Sequence, residues 1–399
     1  MTDAARSGPL EDLTIIDCTR ALAGPYGAGL LADLGAKVIK VESPLGDGYR
    51  NIPPFLPDYA SPYDEQSAGT DYGAPFASVN RNKRSVCLDL KKKDDAEVFL
   101  KLCDQADAVV ENMRAGVMDR LGLGYEVVSK RNSAIVYACV RGFGDPRTGE
   151  SPYADWPCLD AAAQSFGGLV YANDNLVTPA LADIFSGTLM GLGVVSAIHH
   201  AKKTGKGQFL DVSMYDAMMA FQKSAIAQYG FTGKPNPAGL QRAMTLYPFD
   251  LFPAKDGRVS IAVGSPHHWD LLCAAMDRAD LMTDERSASN AARLENVDWV
   301  EEQICGWTSK LTRADIMQKL NGTIPAGPVQ NMADIYEDPH VEARRMLEVC
   351  SPGGDNPEIS LAANPIKFSE TPTGLYQPPP TLGEHNDEVM SEFGISIKK

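Results

Sequence analysis

The chain has 399 residues, of which 44% are hydrophobic, enough to bury a sizeable core and to form more than one lobe. Its 52 acidic residues outnumber its 37 basic ones, giving a net charge of -15. This argues against nucleic acid or a membrane as the main partner, since both require a basic surface. Eight cysteines occur without a CxxC pair, so the sequence indicates neither a metal site nor a disulfide framework. Reduced thiols and a polar N-terminus without an apolar signal region favour a cytoplasmic location.

The first half of the chain alternates predicted strands and helices. A buried strand, a glycine-rich turn with a short helix, and a second strand are predicted in turn by "LTIIDCT", "GPYGAGLLADLG" and "AKVIKVE". The alternation continues through "SVCLDLKK", "AEVFLKLCDQADAVVEN" and "AIVYACVRGFG". Between them, "NIPPFLPDYASPYDEQSAGTDYGAP" predicts a long irregular loop. We therefore expect an α/β fold of the doubly wound kind.

Beyond residue 200 the pattern changes. A turn, a strand and a helix are predicted for "AKKTGKGQFLDVSMYDAMMAF", after which the composition shifts. A hairpin strand follows in "DGRVSIAVG", and helices in "HHWDLLCAAMDRADLM" and "VDWVEEQICGWTSKLTRADIMQKLNG". We therefore predict a smaller α+β lobe at 225–330. The tail "PPPTLGEHNDEVMSEFGI" predicts a short final helix.

A single carboxylate, Asp183, precedes a long run of small and apolar residues in "TPALADIFSGTLMGLGVVSAIHH". One interpretation is that Asp183 caps a helix spanning 184–200. A second, compatible interpretation is catalytic. The helix dipole and free N–H groups would keep this carboxylate ionised, and an ionised carboxylate among small residues can attack an acyl group. The run Ile184 to Ile198 is too short and too rich in glycine to predict a membrane span.

Several other motifs allow both a structural and a functional interpretation. The basic segments "NRNKRS" and "DLKKK" are either a solvated face or a seat for phosphate, to which Arg120 and Arg141 would add. Asp160 either makes a structural hydrogen bond or lines a pocket. The glycines of "GPYGAG" depart from the dinucleotide pattern G-x-G-x-x-G and favour close packing. The adjacent His267 and His268 would point to opposite faces of a strand, and no third ligand completes a metal site.

Seven segments in register resemble the family III CoA-transferases, which include formyl-CoA transferase and carnitine CoA-transferase. The resemblance covers nearly the whole chain. Its segments are "LTIIDCTRALAGPYGAGLLADLGAKVIKVE", "NRNKRSVCLDLK", "VENMRAGVMDRLGLGYE", "LADIFSG", "KTGKGQFLDVSMYDAM", "IPAGPV" and "LGEH".

The resemblance implies a fold and a set of site residues. It implies a large Rossmann-like lobe built from both chain ends, 1–224 and 331–399, a smaller lobe at 225–330, and two chains interlocked as a homodimer. Asp183 matches the family's catalytic nucleophile in D-x-x-x-G. The positions that match its coenzyme A contacts are Leu22, Ala23, Leu88, Asp89, Leu90, Lys91, Asn112, Met113, Arg114 and Arg120. Lys91 and Arg120 are the strongest candidates for phosphate.

The resemblance also implies chemistry. Coenzyme A would pass from an acyl-CoA to a carboxylic acid through a mixed anhydride and an aspartyl-CoA thioester on Asp183, with a CoA thioester as substrate and no tightly bound cofactor. Water must be excluded from these intermediates. Backbone N–H groups near Gly187 or Gly264 are candidates for the oxyanion site. We expect a dicarboxyl-CoA such as succinyl-CoA as donor, with Arg242 as a candidate partner for its second carboxylate.

Two departures from the family pattern bear on the substrate. Formyl-CoA transferase has a glycine-rich loop whose nearest counterpart here is "NPAGLQRAM", and its active-site Gln is replaced by Leu22. Formate and oxalate are therefore not the expected substrates.

Four alternatives remain at this stage. An α-methylacyl-CoA racemase would carry a histidine directly before Asp160, where this chain has Leu159, so one of two bases is missing. Intramolecular transfer between the carboxyls of one diacid, as in mesaconyl-CoA, is a second alternative. A NAD-dependent oxidoreductase is disfavoured by the glycine pattern. A non-catalytic CoA-binding regulator would tolerate the loss of Asp183.

Overall fold

The structure is a computed structural model that describes residues 8–55, 72–239, 245–320, 322–351 and 357–395. The chain divides into two compact units. The first comprises Met1–Val170, Leu176–Gly233 and His340–Lys399, and the second comprises Tyr171–Asn175 and Lys234–Pro339. Most of the predicted long loop, and Arg242, lie outside the described residues.

The first unit contains a parallel six-stranded sheet in the order β3-β2-β1-β4-β5-β6. Its strands are β1 (Thr14–Asp17), β2 (Lys37–Glu42), β3 (Lys83–Cys87), β4 (Ala108–Glu111), β5 (Val136–Arg141) and β6 (Phe209–Ser213). The predicted doubly wound α/β fold is thereby confirmed. The strand order reverses between β1 and β4, and ligands of such sheets bind at the carboxyl edge near this reversal.

Helices cover both faces of the sheet, which is why β1, β4 and β5 are nearly continuous apolar runs. Neighbouring residues of a strand enter opposite cores, as Ile15 and Ile16 do. The helices of the first unit are α1 (Ala23–Asp33), α2 (Ala74–Asn80), α3 (Lys93–Cys103), α4 (Val117–Arg120), α5 (Tyr125–Arg131), α6 (Asp160–Phe166), α7 (Leu169–Asn173, which ends in the second unit), α8 (Leu181–Thr204), α9 (Met214–Phe221) and α10 (Lys223–Thr232).

The C-terminal segment returns to the first unit. Its elements are β10 (Leu347–Cys350), β11 (Ile359–Ala362) and α17 (Asn386–Glu392), and β10 pairs with β11 in an antiparallel ribbon. Val389 and Met390 of α17 join the core beside β2 and β3, and Arg84 donates hydrogen bonds to Glu388 and Glu392. The C-terminal helix thus packs on the sheet formed by the first half of the chain.

Helices α1 and α8 approach each other through glycines. A Cβ atom at Gly187 would lie 2.2 Å from the carbonyl oxygen of Ala23, and one at Gly27 would lie 2.4 Å from the carbonyl oxygen of Gly187. These contacts leave no room for a side chain, so the glycines of "GPYGAG" serve close packing. Helix α8 begins before Ile184 and ends after Ile198, and its 24 residues are long and apolar enough to cross a membrane. The helix is therefore longer than the run 184–198 seen in the sequence, and its residues Met190 and Val194 lie fully buried in the core of the first unit.

The segment "NRNKRS" forms neither a solvated face nor a phosphate seat. Arg81 binds Asp33 at 2.6 Å and the ammonium of Lys83 binds Asp17 at 2.9 Å, and all four side chains are buried. Burial lowers the pKa of Lys83 to about 8. Both interpretations of this segment were wrong, because Arg81 and Lys83 face inward to buried carboxylates and Arg84 is paired with Glu388 and Glu392, which a linear sequence does not reveal.

The second unit has its own antiparallel sheet in the order β7-β8-β9, formed by β7 (Phe249–Ala254), β8 (Gly257–Ala262) and β9 (Ala326–Pro328). Its helices are α11 (Pro266–Ala275), α12 (Asn290–Glu295), α13 (Val297–Thr308), α14 (Arg313–Leu320), α15 (Met332–Tyr336) and, at its border, α16 (Pro339–Ala343). Tyr247, Phe252 and Trp269 lie in its core. His267 and His268 begin α11 rather than occupy a strand, and His268 accepts a hydrogen bond from the Gly264 N–H at 3.3 Å.

Candidate active site

Asp183 is the third residue of α8 and not its cap. The helix begins at Leu181, and among the described residues no side chain of α8 itself caps that end. The cap comes from α6, where one carboxylate oxygen of Asp160 accepts a hydrogen bond from the Ala182 N–H at 2.7 Å. The other accepts one from the Gln164 side chain, also at 2.7 Å. The predicted capping role of Asp183 was therefore wrong, because the helix starts three residues earlier and Asp160 provides the acceptor.

The carboxyl group of Asp183 is half-buried and has no hydrogen-bond partner within the described part of the chain. Burial, and secondarily the nearby charge of Asp160, raise the pKa of Asp183 from 3.8 to about 7. We predicted that the helix dipole and N–H donors would hold this group ionised. That expectation was wrong, because the side chain receives no donor and the cost of burying a charge dominates. A carboxyl group with a pKa near neutrality is typical of groups that exchange protons or act as nucleophiles.

The charge of Asp183 affects the pKa of two further side chains, Tyr49 and Cys158. Burial raises the pKa of Tyr49, and the charge of Asp183 raises it further. Burial and Asp183 likewise raise the pKa of Cys158 to about 11. Both groups therefore keep their protons at neutral pH, and the Tyr49 hydroxyl is available as a hydrogen-bond donor. Tyr49 was not among the residues predicted from the sequence, although its segment follows β2 at the carboxyl edge of the sheet.

The positions expected to contact coenzyme A follow three strands of the parallel sheet. Leu22 and Ala23 follow β1, 88–91 follow β3, and 112–114 follow β4, with Arg120 ending the short helix α4. Since the strands are parallel, these segments emerge at the same edge of the sheet. The Asn112 side chain joins two of them, because it accepts from the Arg20 N–H at 2.8 Å and donates to the Arg20 carbonyl at 2.7 Å.

Individual positions at this edge differ in what they offer a ligand. The three cationic side chains are exposed: Lys91, Arg114 and Arg120. Leu88 and Ala23 are buried at 4% exposure, so their side chains serve packing and only their backbone faces the edge. Asp89 accepts a hydrogen bond from the Lys91 N–H, and the Met113 N–H donates to Glu111. Leu90 packs at the border of the core.

Arg141 does not join these exposed cations. Its guanidinium binds Glu111 at 2.6 Å and Asp145 at 3.0 Å, both fully buried. Burial raises the pKa of Glu111 to about 7 despite this partner. The suggested phosphate role of Arg141 was therefore wrong, because its charge is already paired inside the protein.

The two proposed oxyanion donors are also engaged. Gly187 lies inside α8, where the i to i-4 pattern of an α-helix commits its N–H to the carbonyl of Asp183. The Gly264 N–H donates to His268. Neither of these two N–H groups is free, so an oxyanion site formed by neighbouring backbone N–H groups stays a prediction. Across the described ranges, no three His, Cys, Asp or Glu side chains are placed to hold a metal ion.

A family model and two relatives of known name relate this chain to the CoA-transferases. The model of CoA-transferase family III matches residues 10–386. Succinyl-CoA:mesaconate CoA-transferase from Haloarcula hispanica is 41% identical over 395 residues, which cover 97% of this chain and 97% of that protein. Acetyl-CoA:oxalate CoA-transferase from Acetobacter aceti is 34% identical, covering 100% of this chain and 99% of the relative.

A solved structure shares the fold. The crystal structure of a CAIB/BAIF family protein from Brucella suis superposes with a TM-score of 0.84 at 30% identity. The match covers 97% of this chain and 100% of that one.

Proposed function

The chain belongs to CoA-transferase family III and is an enzyme of that family; on this premise we propose that it moves coenzyme A from a dicarboxyl-CoA such as succinyl-CoA to a carboxylic acid, with Asp183 as the nucleophile. The observation that carries this proposal is the state of the Asp183 carboxyl. It is half-buried, it lacks a hydrogen-bond partner within the described residues, and its pKa is raised to about 7.

The reaction starts with an attack of an Asp183 carboxylate oxygen on the thioester carbonyl. The C–S bond breaks, coenzyme A leaves as a thiolate, and Asp183 carries a mixed anhydride. The thiolate then attacks the Asp183 carbonyl carbon, which releases the donor acid and leaves an aspartyl-CoA thioester. The carboxylate of the acceptor attacks this thioester and expels the thiolate. The thiolate finally attacks the acceptor's carbonyl in the new anhydride, which forms the new acyl-CoA and frees Asp183.

The surroundings of Asp183 support this role. A carboxylate with a raised pKa is a stronger nucleophile than one held by donors, because fewer interactions stabilise its charge. The neutral Tyr49 hydroxyl would donate a hydrogen bond to the negative oxygen of the tetrahedral intermediate. The small and apolar residues after Asp183 would keep water from the anhydride and the thioester.

The carboxyl edge of the sheet would bind coenzyme A. The exposed cations Lys91, Arg114 and Arg120 would meet its phosphates, and Asn112 would keep the loop after β1 in place. Backbone groups at Leu22, Ala23, Met113 and 88–90 would line the pantetheine path. We expect no tightly bound cofactor, an interlocked homodimer and a cytoplasmic location.

The names of the relatives support the substrate class. A succinyl-CoA:mesaconate transferase at 41% identity favours succinyl-CoA as donor and an unsaturated dicarboxylate as acceptor. A relative at 34% identity is an acetyl-CoA:oxalate CoA-transferase, so oxalate should be tested as an acceptor beside the larger dicarboxylates. Intramolecular transfer between the carboxyls of one diacid uses the same intermediates. A racemase requires a second base before Asp160, and Leu159 there is 77% exposed and apolar.

The test is chromatography of CoA esters after the purified protein is incubated with succinyl-CoA and mesaconate, malate, glutarate, itaconate or oxalate. We expect a new acyl-CoA ester with at least one dicarboxylate and none from the Asp183→Ala variant. Asp12→Ala is the matched control, since it removes an exposed aspartate whose ion-pair partner is the surface residue Lys202. Formation of the new ester by Asp183→Ala at the wild-type rate would refute the assignment of Asp183 as the nucleophile.

A further inference from the structure

A buried ion pair lies beneath the loop that follows β1. The Lys40 ammonium binds Asp47 at 3.1 Å, and the exposed fractions of the two side chains are 0% and 1%. The same ammonium donates to the carbonyl oxygen of Thr19 at 3.0 Å. The neighbouring carboxylates of Asp17, Asp47 and Glu42 raise the pKa of Lys40 against the opposing effect of burial. Lys40 therefore remains charged, and removing Asp47 would leave this buried charge without its partner.

Asp47 connects the loop after β1, which contacts α8 through Ala23, with the segment of Tyr49, whose pKa is raised by burial and by the charge of Asp183. One oxygen of the Asp47 carboxylate accepts hydrogen bonds from the Ala21 N–H and the Tyr49 N–H, each at 3.1 Å. Ala21 belongs to the loop after β1, and Tyr49 belongs to the short 3-10 helix Gly48–Asn51. The N–H of Asp47 is itself fixed by Glu42 at 3.0 Å. The Oδ1 atom of Asp47 thus joins the loop after β1 to the backbone of Tyr49.

The loop is held in a conformation that it would not adopt unaided. Ala21 has a φ of 62°, in the left-handed region that a residue with a Cβ atom rarely occupies. Strain of this kind persists only where the surroundings impose it, and it concentrates at functional sites. Here Lys40 holds Thr19, Asn112 holds both backbone groups of Arg20, and Asp47 holds Ala21. Buried or bridging side chains therefore fix three successive residues directly before Leu22.

We propose that Lys40 and Asp47 are positioning residues that hold the loop 19–23 and Tyr49 in register around Asp183. The inference rests on the proposed function and deepens it, because neither residue touches the reacting atoms. Ala23 contacts α8 at Gly187, one turn after Asp183, so a displaced loop opens the site beside the nucleophile. Water then reaches the anhydride and the aspartyl thioester. The specific consequence of losing the pair is a higher proportion of hydrolysis to transfer.

The experiment compares Asp47→Asn and Lys40→Met with Asp33→Asn. The control Asp33→Asn removes a charge from the buried Arg81 pair of the same unit, at the opposite end of α1 from Ala23. For each variant, free acid plus free coenzyme A is measured against new acyl-CoA, together with kcat, KM and the melting temperature. We expect kcat to fall about 10- to 100-fold in the first two variants, because displacements of about 1 Å have effects of this size. Their ratio of hydrolysis to transfer should rise, while that of Asp33→Asn stays at the wild-type value despite a similar loss of stability.

A second substitution at Ala21 distinguishes a positioning role of Asp47 from a general loss of stability. Glycine adopts a φ of 62° without steric cost, so adding Ala21→Gly to Asp47→Asn should restore part of the lost transfer. If Asp47→Asn does not fold, Ala21→Val with the ion pair intact serves instead, because a β-branched residue disfavours this φ, and its hydrolysis ratio should rise. Wild-type ratios in every soluble variant at these positions would overturn the inference. Full transfer by Asp183→Ala would instead overturn the proposed function.

Discussion

Replacing Asp183 by asparagine should make the folded protein more stable at alkaline pH while abolishing transfer. The wild-type carboxyl has a pKa of about 7 in the folded protein and about 3.8 when unfolded. The folded protein therefore binds this proton more tightly, so its stability falls as the pH rises from about 4 to about 7 and does not change further above that range. Asparagine has nearly the same shape and never ionises, so it removes this dependence.

The magnitude follows from the pKa. One pKa unit corresponds to about 1.36 kcal/mol, so ionised Asp183 costs the folded state about 4 kcal/mol at pH 8. At pH 5 most of this cost is absent. The stability gained by Asp183→Asn should therefore be about 3 kcal/mol greater at pH 8 than at pH 5.

Urea unfolding of wild type and Asp183→Asn between pH 5 and pH 9 measures this difference. Asp12→Asn serves as the control, because Lys202 lowers the pKa of that exposed carboxyl, and its profile should show no gain at alkaline pH. A stability difference between wild type and Asp183→Asn that is flat across the range, or that falls with pH, would refute the raised pKa of Asp183.

Four further predictions follow from the site and its packing. In wild type, kcat/KM should rise with pH through about 7, because only ionised Asp183 attacks, and a pH profile of the free enzyme measures it. Asp160→Asn keeps an acceptor for the helix but removes the like charge, so the midpoint of that profile should move to lower pH. Gly187→Ala forces a Cβ atom against the backbone of α1, so it should lower stability by about 1–3 kcal/mol in urea unfolding. Arg120→Ala and Lys91→Ala should each raise KM for the CoA thioester with little change in kcat. A KM that stays at the wild-type value in both variants would show that these residues do not bind the CoA thioester.

The strand and helix pattern of the first half was predictable because it depends on local periodicity. Buried parallel strands such as "AVVE" are continuous apolar runs, and helices such as α3 show the 3.6-residue repeat. Asp183 also stood out locally as a lone charge at the start of an apolar run. The hydrogen bonds and charges that surround Asp183 could not be predicted from local sequence in the same way.

The electrostatics of the site depend on contacts between residues that are distant in sequence. Asp160 caps α8 from 22 residues away, and Asp107, in the loop before β4, reaches the Thr14 N–H from 93 residues away. The burial of Lys40 and Lys83 likewise requires three neighbouring strands. A basic segment such as "NRNKRS" therefore looks exposed in the sequence although its residues Arg81 and Lys83 face inward.

The most direct test of the central claim follows an oxygen atom from the acceptor to Asp183. The enzyme is incubated with succinyl-CoA and an acceptor diacid labelled with ¹⁸O in its carboxylates, and the peptide that contains Asp183 is examined by mass spectrometry. We expect this peptide to gain ¹⁸O during turnover, because one acceptor oxygen stays on Asp183 when the thiolate cleaves the final anhydride. Formation of labelled product without any ¹⁸O in that peptide would contradict a covalent role for Asp183.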